Sequence, residues 1–292
     1  MDVLIIDIDS KIPNLALHKI DKYHTDRGDT VTWNFPLMKH LADKIYASCI
    51  FTENRHLCEE WEGVAEIGGS GYDLKKTLPC EIDEVKPRIN LGFTTRGCIR
   101  KCEFCVVPEK EGKIRVTGDI HDIWDGESKS VILLDNNILA MKEHFFKIAE
   151  QIIDNKIIVD FNQGLDHRLL DDNFCATMKR MKRKYGHYRF AFDSTSSYNS
   201  VEKAVDLLHK YKMKWNTWYV LVGYDTSLQE DIARLEFLKE RDERVYIQQY
   251  KKNSETRAVA RWGNQRHLFA AKTFQQFLDM PGSERYKDAI TF

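Results

Sequence analysis

Residues 90–105 read Asn90-Leu-Gly-Phe-Thr-Thr-Arg-Gly-Cys-Ile-Arg-Lys-Cys-Glu-Phe-Cys105, and they join a candidate β-strand to a loop with three cysteines. From this segment to about residue 250, apolar runs alternate with amphipathic stretches. This alternation predicts strands that pair in parallel through helical crossovers. Six strand–helix units favour an incomplete (βα)6 barrel over residues 89–250 rather than a second flat sheet. The candidate strands are Asn90–Thr94, Val131–Asp135, Ile157–Asn162, Tyr188–Asp193, Asn216–Val222 and Arg244–Gln248.

The segments between these strands are predicted to be helical because their apolar residues recur with the period of a helix. One further helix is expected in a C-terminal helical extension over residues 251–292. The predicted helices are Ile120–Trp124, Lys142–Asp154, Leu169–Lys184, Val201–Tyr211, Gln229–Arg241 and Gln265–Leu278.

Residues 1–78 are predicted to form a smaller unit in front of the barrel. The run Val3-Leu-Ile-Ile-Asp7 is typical of a strand buried on both faces. Strand and helix signals then alternate, which predicts a small Rossmann-like unit with a parallel sheet. Residues 79–88 contain Pro79 and Pro87 and few apolar residues, and are interpreted as a linker. The other elements predicted here are strands Thr30–Trp33, Lys44–Phe51 and Ala65–Ile67 and helices Leu15–Arg27 and Glu53–Trp61.

The composition excludes several classes of protein. The chain has 292 residues, with 44 Lys and Arg against 45 Asp and Glu, so its net charge of −1 argues against a protein that coats nucleic acid. With 42% hydrophobic and 30% charged residues it is expected to be a soluble globular protein. We expect no signal peptide and no membrane span, and therefore a cytoplasmic location in which clustered cysteines bind metal or react.

The strongest chemical signal is the C-x3-C-x2-C spacing of Cys98, Cys102 and Cys105. Three thiolates within eight residues can converge on an iron–sulfur cluster, zinc or Cu(I). A structural zinc site usually has a fourth Cys or His at matching spacing, but the nearest downstream histidine is His121 and no second cysteine pair follows. An iron–sulfur cluster with one open iron therefore fits better than a closed zinc site.

Polar residues follow five of the predicted barrel strands. In parallel βα folds, functional groups collect at the C-terminal ends of the strands. Any one of these residues is equally well explained as a helix cap or a turn, whereas five in succession favour a pocket. The residues are Asp135-Asn136-Asn137, Asn162-Gln163-Gly164, Asp193-Ser194, Gly223-Tyr224 and Gln248-Gln249.

The cysteine motif, with the aromatic Phe104 before its third cysteine, resembles that of the radical S-adenosylmethionine (radical SAM) enzymes. The flanking segments 92–98 and 104–108 are similar to the cluster loops of the cobalamin-type and methylthiotransferase-type members. Residues 161–166 and 219–224 resemble later strands of the same groups. The resemblance extends over about residues 90–250 and only loosely over the N-terminal unit.

This resemblance implies a [4Fe–4S] cluster in which three irons are held by Cys98, Cys102 and Cys105. The fourth iron would bind S-adenosylmethionine through its amino and carboxylate groups. An electron from an external reductant such as flavodoxin or ferredoxin would then cleave the cofactor to a 5′-deoxyadenosyl radical, which abstracts hydrogen from an unknown substrate.

The resemblance also assigns roles to residues beyond the cysteines. Phe104 would pack near the adenine, and Gly223 would let the backbone approach it closely. The family's glycine-rich motif for the methionine amino group is replaced here by Asp135-Asn136-Asn137, whose oxygens would accept from the same ammonium. The residues expected to face the ribose or the substrate are Asn162, Gln163, Asp193 and Ser194. Asp166 and Arg168, which follow the third strand, are expected to bind polar groups of the substrate. His167 is a weaker candidate for an acid or base.

The N-terminal unit departs from both related groups. Cobalamin-binding members carry Asp-x-His-x-x-Gly after the first strand, whereas here Asp7-Ile-Asp-Ser-Lys11 follows it, so cobalamin is unlikely as a cofactor. Gly68-Gly-Ser-Gly71 does resemble a glycine turn of that domain. Methylthiotransferases hold a second cluster on three cysteines, of which Cys49 alone has a counterpart position. We therefore expect one cluster, and we interpret Cys49, Cys58 and Cys175 as core residues.

Two basic segments leave a nucleic-acid partner open. Residues 179–184 are most simply the solvated C-terminal turn of a helix, and residues 251–266 interleave cations with Tyr250 and Trp262. The leading hypothesis is thus a radical SAM enzyme. The alternatives are a methylthiotransferase-like enzyme that modifies RNA and a non-enzymatic iron–sulfur or zinc protein. No membrane partner is expected, and the sequence does not determine the oligomeric state.

Overall fold

The computed structural model describes residues 1–287 and residue 290, and it is an α/β protein with parallel sheets. The predicted α/β class is therefore confirmed. The chain divides into two compact units, residues 1–131 and the part that begins at Ile132. The predicted domain boundaries at residues 78, 88 and 250 do not coincide with this division, and the domain organisation stays a prediction.

The first unit begins with a four-stranded parallel sheet of order β2-β1-β3-β4. Its central strand β1 is buried on both sides: Leu4 and Ile6 pack on one face, and Val3 and Ile5 pack on the other. A strand covered on both faces needs apolar residues at every position, which explains the unbroken run in the sequence. The strands are β1 (Asp2–Asp7), β2 (Thr30–Trp33), β3 (Lys44–Ser48) and β4 (Glu66–Gly68).

The helix α1 (Leu15–Asp26) begins where the side chain of Asn14 accepts a hydrogen bond from the Leu17 N–H. The predicted helix Glu53–Trp61 is instead a 3₁₀ helix over Thr52–Trp61. Side chains three residues apart align in a 3₁₀ helix, and this aligns Cys58 and Trp61, which are both buried against the sheet. The predicted helix is therefore present, with 3₁₀ geometry.

The rest of the first unit is built from short elements: α2 (Cys80–Asp83), β5 (Leu91–Gly92), β6 (Thr95–Arg96), α3 (Val107–Lys110) and β7 (Arg115–Val116). The predicted strand Asn90–Thr94 is wrong in its bounds. Asn90 has a φ of 62°, which lies outside the β region, so this residue is not part of a strand. Its side-chain amide donates instead to Asp125 and Ser128. Ile120–Asp122 is a single 3₁₀ turn rather than the predicted helix Ile120–Trp124.

In the second unit, strand β8 (Ser130–Leu133) leads into the series β9 (Ile158–Phe161), β10 (Lys182–Arg183), β11 (Arg189–Ala191), β12 (Thr217–Val222) and β13 (Arg244–Gln249). Strands β9 and β10 pair in parallel, and so do β11, β12 and β13 in that order. A parallel bridge between Leu165 and Phe190 continues the pairing from the segment after β9 to β11. The long helices are α4 (Lys142–Asp154), α5 (Asp172–Arg180), α6 (Tyr198–Lys210), α7 (Leu228–Lys239) and α8 (Ser254–Gly263).

Two helix predictions in this unit were wrong. Helix α5 ends at Arg180 rather than Lys184, because Met181 turns into an extended conformation and Lys182–Arg183 pair with the open edge of β9. The single helix predicted over Gln265–Leu278 is two helices, α9 (Arg266–Ala271) and α10 (Phe274–Leu278). Extended backbone at Lys272 separates them, and the Thr273 side chain caps α10. A short helix α11 (Glu284–Lys287) follows.

Strands β11 to β13 have one apolar face and one polar face. Phe190, Trp218, Val220 and Ile247 point to the apolar face and are buried, and helices α7 and α8 pack on β12 and β13. The opposite face, which we call the polar face, stays partly open: Tyr246 is 51% exposed. Its rows, in register across the sheet, are Arg189, Thr217 and Arg244, then Ala191, Tyr219 and Tyr246, then Leu221 and Gln248.

No helix in residues 1–287 is both long enough and apolar enough to cross a membrane.

Candidate functional site

The cysteine loop starts at a glycine that no other residue could replace without strain. Gly97 has a φ of 85°, and a Cβ atom there would lie 2.5 Å from the Lys113 carbonyl oxygen. The Cys98 N–H donates to the Gly112 carbonyl at 3.3 Å, and the hairpin of β6 and β7 pairs Arg96 with Arg115. The loop is thus closed at its base by backbone contacts that need the close approach at Gly97.

An ion pair reinforces the same closure. The Arg96 guanidinium donates from Nε and Nη2 to the two Glu111 carboxylate oxygens at 2.6 and 2.8 Å. The Glu111 side chain is only 7% exposed, and the guanidinium also lies 5.0 Å from the centre of the Phe93 ring. Burial lowers the pKa of Arg96, but the bond to Glu111 outweighs it and the pKa is raised. Bidentate arginine–carboxylate pairs of this kind fix orientation as well as adding stability.

The three loop cysteines differ from the core cysteines in accessibility. Cys98, Cys102 and Cys105 are partly exposed, whereas Cys49 and Cys175 are fully buried. Burial raises the pKa of both buried thiols to about 12, which keeps them protonated and inert. This burial agrees with the interpretation of Cys49 and Cys175 as core residues. The accessible thiols are the three of the loop and that of Cys80.

The donor set of the loop suits a soft metal centre. None of the seven cysteines, all of which lie in the described part of the chain, is in a disulfide. The Arg100 N–H donates to the Cys98 sulfur at 3.3 Å, the type of contact that tunes sulfur ligands. Ile99 and Val106 beside the cysteines are about half exposed and provide apolar surface next to the sulfurs. Among the described residues, however, no three His, Cys, Asp or Glu side chains are grouped as metal ligands.

The helix after the third cysteine, α3, is attached to the glycine turn that follows β4. The Lys110 ammonium donates to the Ser70 hydroxyl at 2.5 Å. Burial, with the nearby charge of Arg96, lowers the pKa of Lys110 below its ordinary value. The turn itself is packed tightly, since a Cβ at Gly69 would lie 2.2 Å from the Cys49 carbonyl oxygen. The position of α3 therefore depends on residues about forty positions earlier in the chain.

The C-terminal ends of β1 and β3 are joined by a carboxylate. Asp9 accepts hydrogen bonds from the Ile50 and Phe51 N–H groups at 2.7 and 2.9 Å and from the Asn54 amide at 3.1 Å. Burial raises the pKa of Asp9, but these hydrogen bonds outweigh it and the pKa is lowered. Rossmann-like units bind the anionic groups of ligands at backbone amides beyond the ends of their strands. Here the Asp9 carboxylate of the protein itself accepts hydrogen bonds from these amides.

In the second unit, the structure brings three of the predicted site residues together. The Asn137 side-chain amide donates to Asp166 Oδ2 at 3.2 Å, and Arg168 Nε donates to Asp166 Oδ1 at 2.7 Å. Asp135 and Asn137 are buried, and Asn136 is partly exposed. The weakly expected His167 is buried and its Nε2 lies 3.0 Å from the Ser200 hydroxyl.

The other predicted residues of this unit serve local structure as well. The Asn162 carbonyl accepts from the Tyr219 hydroxyl at 3.0 Å, and Gln163 is exposed. Ser194 accepts from the Ser196 N–H at 3.3 Å and so caps a turn. A Cβ at Gly223, which has a φ of 71°, would lie 2.6 Å from Thr256, so packing within the protein already requires glycine there.

Asp193 is the predicted residue with the most altered environment. It lies beyond the end of β11, and its carboxylate accepts from the Leu221 N–H at 3.0 Å. Burial raises the pKa of Asp193, although Leu221 and the charges of Arg234 and Arg168 oppose the shift. A buried carboxyl with a raised pKa holds a proton more readily than an exposed one and can donate or accept it near a ligand.

The sequence reasoning missed two groups of residues in the second unit, Arg234 beside Asp193 and most of the polar face. Arg234 is fully buried in α7 and donates to the Phe192 and Leu221 carbonyls at 2.5 and 2.7 Å, which holds the ends of β11 and β12. No local pattern distinguishes this arginine from a surface residue of an amphipathic helix. The second group is the polar face, whose signal was the alternation of polar and apolar residues in β13. The residues of this face that the sequence analysis did not assign to a site are Arg189, Tyr219 and Tyr246, and Arg189 forms an ion pair with Asp160 of β9.

No protein-family model matches this chain. Each unit has its own candidate residues: the first has an accessible cysteine loop, and the second has buried polar residues at strand ends.

Proposed function

We propose that this protein is a radical SAM enzyme that abstracts hydrogen from a substrate still to be identified. The observation that carries the proposal is the contrast among its cysteines. The three with C-x3-C-x2-C spacing are accessible on a loop closed by Gly97 and by the Arg96–Glu111 pair, whereas Cys49 and Cys175 are buried with raised pKa values. Three accessible thiols within eight residues of one loop are suited to a soft metal.

The proposed fold is an incomplete (βα)6 barrel preceded by a degenerate Rossmann-like unit. Support for the barrel comes from the parallel pairing of β11, β12 and β13 and from their partly open polar face, which would line its interior. Support for the Rossmann-like unit comes from the parallel order β2-β1-β3-β4. The Asp9 carboxylate at its strand ends is the reason we propose that this unit does not bind cobalamin.

In this proposal Cys98, Cys102 and Cys105 hold a [4Fe–4S] cluster, which together with S-adenosylmethionine supplies the 5′-deoxyadenosyl radical. The residues of the second unit bind and orient. Asp135 and the Asn137–Asp166 pair offer buried oxygen acceptors that suit an ammonium group. Asp193 holds or releases a proton at its carboxylate, and Arg234 keeps the two strand ends around it in place.

The deciding experiment is anaerobic reconstitution with iron and sulfide, followed by incubation with S-adenosylmethionine and dithionite. We expect about four irons per chain, a brown cluster spectrum and release of 5′-deoxyadenosine. Cys98→Ala, Cys102→Ala and Cys105→Ala should each abolish the product. Cys80→Ala is the matched control, since Cys80 is exposed but lies outside the loop.

Colourless protein with stoichiometric zinc after anaerobic purification would favour the non-enzymatic alternative. About eight irons per chain would mean a second cluster and would contradict the single site proposed here.

A further inference from the structure

The segment from the end of α5 through β10 to the first residue of β11, together with the first residue of β13, carries a concentration of positive charge that the proposed chemistry does not use. From residue 173 to residue 192 the chain has no acidic residue. Over the same stretch it has six cations: Lys179, Arg180, Lys182, Arg183, Lys184 and Arg189. The net charge of −1 for the whole chain therefore hides a strongly basic segment.

Only part of this charge is compensated inside the protein. Arg180 pairs with Glu150 at 2.7 Å. Asp160, which is buried, pairs with Arg189, and Lys184 lies 3.8 Å from its other oxygen. Lys182 is exposed on the edge strand β10, and Arg183 donates only to the Gly186 carbonyl, at 3.0 Å. One carboxylate thus serves two cations, and three further cations, Lys179, Lys182 and Arg183, have no carboxylate partner among the described residues.

Arg244 adds a guanidinium to the same surface. It is the first residue of β13, and Nη1 lies 3.3 Å from His187 Nδ1. Its Nε is buried and has no hydrogen-bond partner within the described part of the chain. Burial, and then the nearby charge of Arg266, lower the pKa of Arg244, which means that its positive charge is poorly accommodated. An anion beside the guanidinium would stabilise its positive charge.

Exposed aromatic rings lie among these cations. Tyr185 is 64% exposed and stacks on His187 with ring centroids 6.0 Å apart. Lys184 Nζ lies 5.2 Å from the centre of the Tyr185 ring, so the ring is placed beside a cation. On the neighbouring loop Trp215 is 57% exposed, and the two loops are joined by the Tyr188 N–H, which donates to Asn216 Oδ1 at 3.2 Å.

Both exposed rings are presented by unusual backbone. Tyr185 and Trp215 each have a φ of 60°, in the left-handed region that side-chain-bearing residues rarely adopt. Such conformations persist where the surrounding structure imposes them and are concentrated at binding surfaces. The structure therefore holds two large rings outward instead of burying them, and the Tyr185 ring lies between Lys184 and Arg189.

We propose that this basic–aromatic surface, formed by Lys182, Arg183, Lys184, Tyr185, His187, Trp215 and Arg244, binds single-stranded nucleic acid. Phosphates would contact the cations, and bases would stack on Tyr185 and Trp215. An anionic membrane is the weaker match, because membrane-surface binding is typical of an amphipathic helix with a wide apolar face, whereas these residues lie on a 3₁₀ turn, loops and the ends of strands. The surface lies at the opposite ends of the strands from Asp193 and Gly223, so it anchors the nucleic acid rather than reacting with it. The inference is independent of the cluster.

The test is fluorescence anisotropy of the full chain with labelled oligouridylate and oligoadenylate of about 12 nucleotides, as RNA and as DNA, over a series of salt concentrations. We expect the affinity to fall linearly with salt on logarithmic axes. The double variant Lys184→Gln/Arg244→Gln should bind at least tenfold more weakly. The slope of its log affinity against log salt concentration should be less steep by about 2. Tyr185→Ala should bind roughly tenfold more weakly, and Tyr185→Phe should bind like the wild type. Lys142→Gln, which removes a more exposed cation of helix α4, should have no effect.

Several results would overturn the inference. One is the absence of salt-dependent binding to any of the oligonucleotides. Another is wild-type affinity in the double variant or in Tyr185→Ala, with unchanged circular dichroism to show that the variants are folded. Co-sedimentation with phosphatidylserine vesicles without oligonucleotide binding would identify a membrane surface instead. If heparin displaces the oligonucleotides and Tyr185→Ala binds them as tightly as the wild type, the surface is a general polyanion site rather than one for nucleic acid. Each result stands whether or not the cysteine loop holds a cluster.

Discussion

Arg96 and Glu111 are joined by two hydrogen bonds of 2.6 and 2.8 Å across the base of the cysteine loop, fifteen residues apart in the chain. The pair encloses the segment that carries Cys98, Cys102 and Cys105. Since Glu111 is almost completely buried, the loss of Arg96 leaves its carboxylate desolvated and without its counter-charge, whereas Arg96 keeps Asp83 at 3.8 Å if Glu111 is lost. The ion pair therefore stabilises the closed loop, in addition to the backbone contacts at the base of the loop.

A double-mutant cycle with Arg96→Gln and Glu111→Gln should reveal this coupling in urea unfolding. We expect a coupling free energy of about 2 kcal/mol, because the bonds are charge-assisted, bidentate and partly shielded from water. The exposed pair of Arg180 and Glu150 has the same bidentate geometry, with distances of 2.7 and 3.0 Å, and is the matched control. Its coupling should be much smaller because solvent screens it. Equal coupling in the two pairs would contradict the role of burial.

Two glycines of the same loop provide a second prediction. Gly97→Ala should destabilise the protein by ~2 kcal/mol or more, since the new Cβ meets backbone oxygen in addition to the cost of a positive φ. Gly112→Ala, with a φ of 70° but nothing within 4 Å of the added atom, should cost only roughly 1 kcal/mol. Chemical denaturation of both variants measures the difference. A Gly97→Ala variant as stable as Gly112→Ala would show that the base of the loop can adjust.

Thiol reactivity should divide the seven cysteines into two groups. In the native metal-free protein near pH 8, a disulfide reagent should modify four thiols, those of Cys80, Cys98, Cys102 and Cys105. Cys49, Cys58 and Cys175 should react only after unfolding, because burial raises their pKa values and excludes the reagent. Mass spectrometry of alkylated peptides identifies each group. Rapid modification of any of the three buried thiols would contradict their assignment to the core.

The stability of the protein should depend on Asp193 in the opposite sense to an ordinary paired carboxylate. Because its folded-state pKa is raised, the stability it contributes is present at pH below its unfolded pKa and is lost as the pH rises through the folded value. Asp193→Asn keeps an acceptor for the Leu221 N–H but does not ionise. The variant should therefore be more stable relative to the wild type at about pH 7 than at about pH 4, as measured by urea unfolding.

Asp9→Asn serves as the control of opposite sign. The folded-state pKa of Asp9 is lowered, so its contribution is present above the unfolded pKa and is lost as the pH falls through the folded value. The variant should be less stable than the wild type at about pH 7, and the difference should shrink below about pH 4. The same sign of pH dependence in both variants would contradict the environments described for the two carboxyls.

Prediction from the sequence succeeded where the pattern was local and the strand or helix was long. The run at Val3–Ile6 predicted a strand buried on both sides, and Lys142–Asp154 was predicted with the bounds that the structure has. It failed at residues 181–186, where cations after a helix were interpreted as its last turn. The open edge of β9 accepts Lys182–Arg183 as a strand, and an edge contributed by residues more than twenty positions away is not visible in the local pattern.

The sequence by itself determined the α/β class and the spacing that makes three cysteines a candidate ligand set, because periodicity and spacing are properties of neighbouring residues. Only the tertiary structure decided which cysteines are accessible, that Asp9 bonds the amides of Ile50 and Phe51, and that Arg234 holds the strand ends beside Asp193. It also decided that Tyr185 and Arg244 share one surface. Burial and hydrogen bonding between distant segments exist only after the chain has packed, and they set the pKa values and charges on which the proposed functions depend.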